Sequence, residues 1–336
     1  MKAFEIQEFG IHNLALAERE TPQPGPYEAL VRLKAASLNY RDLMVAEGHY
    51  NPKLKRPIVP LSDGTGVVET VGERVTRVRV GDRVAGIFMQ TWLDGACDRD
   101  KANSALGGAI DGVLSEFRIF HEDGLVHVPD RLSFVEAAAL PCAGVTAWHA
   151  LFEEAPAKPG DTVVIQGTGG VAIFALQFAT IAGMRPIVLS SSDEKLHRAR
   201  ELGAAHTINY KKETDWEWEK AVLSLFPGGV DYVIELGGAD TIARSLKAVR
   251  MGGQVAVIGI LGGVGPSVDP RPILMNSIRM QGIYVGSRSM FERMNHAIDL
   301  HAIHPVVDRV FPWLDAKEAM KYMQSQTHFG KVALTF

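Results

Sequence analysis

Hydrophobic and polar positions alternate with a period of two through much of the first 125 or so residues. Lys2-Ala-Phe-Glu-Ile6 opens in this way, and similar runs occur at 29–34, 66–71 and 82–87. Each is a strand candidate, because successive side chains of a strand face opposite sides. Turn-forming residues separate the runs, notably Pro22-Gln-Pro-Gly-Pro26 and Val80-Gly81-Asp82. Short strands at this spacing predict an irregular barrel or sandwich.

From about Ser133 the period changes. Ser133 with Glu136 forms a capping box for a helix through Ala139. Apolar strands then alternate with helical patterns. The strands are predicted at 162–166, 186–189, 206–209, 231–235 and 254–258, with helices at about 171–183, 193–202 and 240–249. Near-continuous apolar strands joined by helices predict a parallel sheet covered on both faces. Ile283-Tyr-Val285 is expected to add a last strand, and the tail from about 287 mixes a helix with β signals near Val332.

Composition narrows the function classes. The 336 residues are 46% hydrophobic and 22% charged, as in ordinary globular domains, and the length suits two of them. A net charge of −4 without a basic stripe argues against nucleic acid as a partner. The most apolar stretch, Val171 to Met184, is too short to span a bilayer, and the opening residues lack the apolar core of a signal peptide. No membrane association is expected. Two cysteines, Cys97 and Cys142, make neither a disulfide framework nor a four-cysteine zinc site, and a reducing, cytoplasmic setting fits them.

The strongest chemical signal is Val163-Val-Ile-Gln-Gly167-Thr168-Gly169-Gly170-Val171-Ala172. A strand runs into a glycine turn that opens an apolar helix, the context a dinucleotide-binding fingerprint requires. Gly167 permits the tight turn and Gly169 lets backbone approach a pyrophosphate. Free N–H groups of the helix start face that anion. The alternative is a glycine-rich turn with no ligand. NAD enzymes usually carry an acid at the end of the next strand, about 20 residues on. Here stand Ser190, Ser191 and Ser192, with Lys195 and Arg198 a helical turn away to receive a 2′-phosphate. Asp193 opposes this reading, and is expected to be the helix N-cap. NADPH is therefore expected over NADH, although Lys195 and Arg198 also suit a solvated helix face.

These residues resemble the medium-chain dehydrogenase/reductase superfamily in its zinc-lacking, quinone-oxidoreductase-like branch. The likeness runs through 36–42, 63–68, 80–84 and 140–147, then the Gly167 turn, 192–195, 202–204 and 208–210, to His328-Phe-Gly-Lys331. It implies an α/β chain: a GroES-like, β-rich catalytic domain at 1–125 and 287–336, and an inserted Rossmann doubly wound parallel sheet at 126–286. In the family, substrate binds in the cleft. Zinc-dependent relatives place Cys where this chain has Asn39 and a His-Glu pair where it has Ser62-Asp63; only Cys142 matches. Three ligands are wanted, so no zinc is expected, and Cys142 reads as a small hydrophobe. His296, His301 and His304 with Asp299 sit on a helical stretch where the 301/304 pair could share a face, although solvated side chains are the common outcome there.

By resemblance, Asn39 and Tyr50 are the catalytic candidates. Asn39 is expected to orient substrate or the nicotinamide ribose, and Tyr50 to donate a proton or hydrogen bond; a packing role for Tyr50 remains open. Asp42 reads as a helix-start residue. Thr146 is placed near the nicotinamide, with a helix-buried hydroxyl bonded back to the backbone as the alternative, Tyr210 near the adenosine phosphate, Gly237 and Gly259 at the strand ends, and Lys331 as a further cofactor contact. For the glycines a turn requirement is the alternative. A homodimer joined edge to edge near Ile283-Tyr-Val285 is expected. The function implied is NADPH-dependent reduction of a quinone, enone or similar carbonyl compound. An alcohol dehydrogenase and a nucleotide-binding protein without turnover are the rivals.

Overall fold

A computed structural model describes every residue except Ala155, Thr214, Asp215, Val264, Pro266 and Ser267. The chain divides into two compact units, Met1–Val145 with Val285–Phe336, and Thr146–Tyr284. The boundaries thus fall at 145/146 and 284/285 instead of 125/126 and 286/287. The helix Phe134–Ala138 packs on strands of the first unit, which carries the segment from 126 to 145 with it. Its Ser133–Glu136 capping box is present.

In the first unit, β1 (Lys2–Ile6) and β2 (Leu14–Glu18) form an antiparallel pair. The main sheet uses β3 (Glu28–Leu38), β4 (Asp63–Val71), β5 (Arg83–Gly86), β6 (Phe117–His121) and β7 (Leu125–His127). The returning strands β14 (Val307–Pro312) and β15 (Lys331–Thr335) complete it. Its order is β14-β15-β3-β4-β5-β7, with β6 also paired to β3. Two register shifts between β3 and β4 bend the central strand, as bulges do in barrel-like sheets. Phe4, Leu33, Leu38, Leu61 and Leu334 fill the core. Val332 of β15 lies opposite Leu38 of β3, and Ser37 of β3 lies opposite Asp63 of β4. By this register, three strands bring Lys331, Ser37–Asn39 and Ser62–Asp63 to one edge.

The second unit is built on β8 (Thr162–Gln166), β9 (Arg185–Ser190), β10 (His206–Asn209), β11 (Val230–Glu235), β12 (Val249–Val257) and β13 (Arg279–Gly282). They form a parallel sheet in the order β10-β9-β8-β11-β12-β13 among the described residues. Counted within the unit this is 3-2-1-4-5-6, the doubly wound Rossmann order. β8 is buried at every position because helices cover both faces. The helix Gly170–Ile181 comes after β8, and Asp193–Glu201 after β9. The helix Trp218–Leu225 lacks a predicted counterpart; Trp218 and Val222, four residues apart, bury its inner face. The last strand ends at Gly282, short of the expected 283–285. Val285 has φ 57°, and a left-handed residue cannot continue an extended strand.

Candidate functional site

In the second unit the strand order reverses at β8, which has β9 on one side and β11 on the other, and in such sheets ligands bind outside the carboxyl ends at that point. Gly167 leaves β8 at φ 78°, which a side chain would strain by about 1–2 kcal/mol. Gly169 is the N-cap of the helix Gly170–Ile181 with φ −78° and ψ −173°, a conformation any residue adopts. A Cβ added at Gly169 would meet no atom of the chain within 4 Å. Neither backbone nor packing needs glycine there, so its bareness leaves room for an outside group. Thr168 is buried between the two glycines, Val171 is half-buried, and Ala172 packs the helix down at 1% exposure. A diphosphate fits this cradle, which has free N–H groups, a positive helix end and space.

Next in space is the end of β9. Ser190 is buried, and its hydroxyl accepts the Ser192 N–H at 3.3 Å. Ser192, not Asp193, is the N-cap: its hydroxyl accepts the Lys195 N–H at 3.3 Å. The cap lies one residue earlier than expected because Asp193 is engaged elsewhere. Its carboxylate accepts from Asn209 Nδ2 at 2.8 Å and from Lys212 Nζ at 2.7 Å, and these bonds hold it below the usual carboxyl range. Ser191 is half-buried, and Lys195 and Arg198, half-buried too, are one turn apart on that helix. The Tyr210 ring meets Trp216 at a centroid distance of 5.2 Å, and the Tyr210 N–H donates to Ser190 O. Gly237 and Gly259 are at the carboxyl ends of β11 and β12 as expected, but close packing explains both. A Cβ on Gly237 would lie 2.2 Å from Thr241 Oγ1, and one on Gly259 2.3 Å from Leu236 O.

Between the Gly167 turn and Gly237 lies a buried pair that sequence reasoning did not single out. Glu235, wholly buried at the end of β11, accepts from Gly237 N at 2.8 Å, Gly238 N at 2.9 Å and Thr241 Oγ1 at 2.5 Å. Its other oxygen accepts from Gln166 Nε2 at 2.8 Å and from the Ser245 hydroxyl. Gln166, at the end of β8, returns its amide oxygen to the N–H groups of Leu236 and Gly237, both at 3.0 Å. One carboxylate thus ties the loop after β11 to the strand that opens into Gly167. The available signal was a polar residue closing each of two apolar strands.

The first unit carries the second cluster. Asn39 is the N-cap of the helix Tyr40–Ala46, and its N–H donates to Asp42 Oδ2 at 2.8 Å. Asp42 is thereby a helix-start residue, as expected. Burial pushes its carboxyl up to about 7, with Arg41 opposing and Asp63 adding to the shift; its Oδ1 has no hydrogen-bond partner. Lys331, expected as a further cofactor contact, is 3% exposed, and its ammonium donates to Leu38 O at 2.6 Å and Asn39 Oδ1 at 2.7 Å, with Asp63 at 3.5 Å. The register of β15 on β3 points it there. Asp63 also accepts from Ser62 Oγ at 2.7 Å and Ser37 Oγ at 3.2 Å. Tyr50 is 40% exposed, its ring 5.0 Å from the Arg41 guanidinium. Thr146 is buried at the first position of the second unit.

These residues do not fit a catalytic zinc. An amide and a hydroxyl stand at the first two ligand positions, and a buried ammonium faces Asn39 and Asp63. Burial raises the Cys142 thiol well above its ordinary range, which disfavours the thiolate a metal binds. Among the described residues no three His, Cys, Asp or Glu side chains are placed to hold a metal ion. His301 caps the end of the helix Arg288–Leu300, so it and His304 do not share a helix face; His304 pairs with Glu136 at 2.6 Å. Among the described residues no helix is long and apolar enough to cross a membrane.

A family described as alcohol dehydrogenase GroES-like domain matches residues 25–130, and one described as zinc-binding dehydrogenase matches 170–300. A zinc-type alcohol dehydrogenase-like protein of Schizosaccharomyces pombe is 46% identical over 97% of this chain and 96% of its own length. A structure assigned to an alcohol dehydrogenase of Sinorhizobium meliloti has a TM-score of 0.94 at 43% identity, covering 100% of this chain and 98% of that one. A mycobacterial protein solved with NADPH has a TM-score of 0.84 at 28% identity, each chain covered in full. Other relatives are named alcohol dehydrogenase or quinone oxidoreductase.

Proposed function

This chain belongs to the medium-chain dehydrogenase/reductase superfamily and is an oxidoreductase, and on that footing we propose that it is a zinc-independent NADPH-dependent reductase of a quinone, enone or similar small carbonyl compound. The observation that carries this reading is the cluster around Asn39. It holds an amide whose oxygen is occupied by an ammonium and, among the described residues, no set of metal ligands. A carbonyl acceptor gains negative charge on oxygen as hydride arrives, and donors aimed at that oxygen stabilise the transition state. When bound, the reduced nicotinamide supplies the hydride. Asn39 Nδ2 donates toward the acceptor oxygen, and the Tyr50 hydroxyl delivers the proton.

Support for NADPH comes from the end of β9. Hydroxyls stand where an acid would repel a 2′-phosphate, and Asp193 is neutralised by Lys212. A charge-assisted bond from Lys195 or Arg198 is worth about 1.5–3 kcal/mol, so NADPH is preferred over NADH by roughly ten-fold or more. A homodimer is also part of this reading. Among the described residues β13 is an edge strand, and the nearby Leu274 and Met275 are 81% and 74% exposed.

The competing reading is an alcohol dehydrogenase, favoured by the name of the 46% identical relative. One experiment separates them. The purified protein is titrated with NADPH and NADH, then offered quinones, enones and aldehydes with NADPH and alcohols with the oxidised nucleotide, while its metal content is assayed. Turnover of quinones or enones without stoichiometric metal supports the proposal. Alcohol oxidation that tracks bound zinc overturns it, and so does equal affinity for the two nucleotides as regards NADPH.

A further inference from the structure

We infer that Lys331 is a positioning residue that fixes which way the Asn39 amide faces, so that Asn39 meets the reacting oxygen only as a hydrogen-bond donor. The inference rests on the reading of Asn39 as part of the carbonyl site. An amide presents an acceptor oxygen on one side and a two-proton donor on the other, and rotation by half a turn exchanges them. An ammonium has three donors and no acceptor. Lys331 Nζ stands 2.7 Å from the Asn39 amide, so the atom facing it must be oxygen. The nitrogen is then on the far side, and no flip satisfies Lys331 equally well.

The ammonium is itself locked. It is 3% exposed, its second proton goes to Leu38 O at 2.6 Å, and Asp63 lies 3.5 Å away. Asp63 is held by the hydroxyls of Ser37 and Ser62. Because Ser62 gives its proton to Asp63, its oxygen can accept from Asn39 Nδ2, which it does weakly at 3.5 Å. The second N–H of Asn39 has no partner among the described residues. The Asn39 backbone is fixed in turn by the bond from its N–H to Asp42. Backbone, oxygen and one N–H are committed, and a single N–H is left over. For an enzyme that must stabilise an oxyanion, that is the useful half of the amide; the other half would repel it.

A structural role alone would make Lys331 substitutions lower stability without acting through Asn39, and a double-mutant cycle distinguishes the two. The variants are Lys331→Met, Asn39→Ala and the pair, with Lys331→Arg as the conservative replacement. The readouts are kcat and KM on the quinone or enone turned over, and the Asn39 side-chain NH2 signals in ¹⁵N NMR spectra, assigned by their loss in Asn39→Ala. Losing an oriented donor costs roughly 10²-fold. Lys331→Met is expected to lower kcat by about that factor while the nucleotide KM changes less than about two-fold, and to have almost no effect once Asn39 is alanine. Lys331→Arg, which is also donor-only, is expected to keep the wild-type amide signals, and Lys331→Met to shift or broaden them. Equal losses of kcat with and without Asn39, or amide signals indifferent to Lys331→Met, overturn the inference. If Lys331→Met fails to fold, Lys331→Gln replaces it in both arms. Should the wild type turn over no carbonyl acceptor, the proposed function falls, while the amide signals still decide how Lys331 orients Asn39.

Discussion

Asp42 offers a test that needs no substrate. An aspartate in an unfolded chain titrates near 3.9, whereas burial raises this carboxyl to about 7 in the folded protein. Below about pH 4 both states hold the proton, and the group contributes nothing to the pH dependence. As pH rises toward 7 the unfolded carboxyl ionises first, so the folded state is the one that binds the extra proton. Stability therefore falls across that window and levels off above it. A rise from about 3.9 to about 7 corresponds to roughly 4 kcal/mol, at up to about 1.4 kcal/mol for each step of one in pH between the two titrations. Asp42→Asn removes the titration while keeping an oxygen for the Asn39 N–H, and its nitrogen takes the place of Oδ1, which has no partner to lose. The variant is expected to match the wild type near pH 4 within about 1 kcal/mol and to exceed it by several above pH 7. Urea denaturation of both proteins across this range gives the difference directly. A difference that stays flat with pH, or that turns against the variant as pH rises, would refute the argument.

The second unit supplies other expectations. Gly169→Ala is expected to change stability by less than about 1 kcal/mol, because its φ is ordinary and the added Cβ meets nothing, yet to weaken nucleotide binding more than ten-fold by calorimetry. Unchanged binding would mean that the space serves no ligand. Glu235→Gln sets an amide N–H against Gln166 Nε2 or the glycine N–H groups, an unmatched buried donor worth about 1–3 kcal/mol. A lower melting temperature and a raised nucleotide Kd are expected together; a loss of stability with unchanged nucleotide affinity would confine Glu235 to a structural role.

Much of this protein was legible before its coordinates. The apolar strand running into Gly167-Thr-Gly169-Gly170 predicts a dinucleotide turn because strand, bend and helix are all encoded within a few neighbouring residues. The Ser133–Glu136 capping box and the β8 and β10 boundaries are local in the same way, and the structure holds them as predicted. The helix Trp218–Leu225 was missed because its two buried anchors, Trp218 and Val222, give a thin periodic signal.

What the chain alone determined were patterns that neighbouring residues enforce on one another: periodicity, turns and caps. Lys331 shows the limit. Nearly 300 residues separate it from Asn39, and only the pairing of β15 with β3 decides that its ammonium meets that amide. Gln166 and Glu235 meet because β8 and β11 are neighbours in the sheet although β9 and β10 intervene in the chain. A buried charge takes its function from the groups that surround it, and those surroundings are set by strand order and register, which no short window of sequence contains.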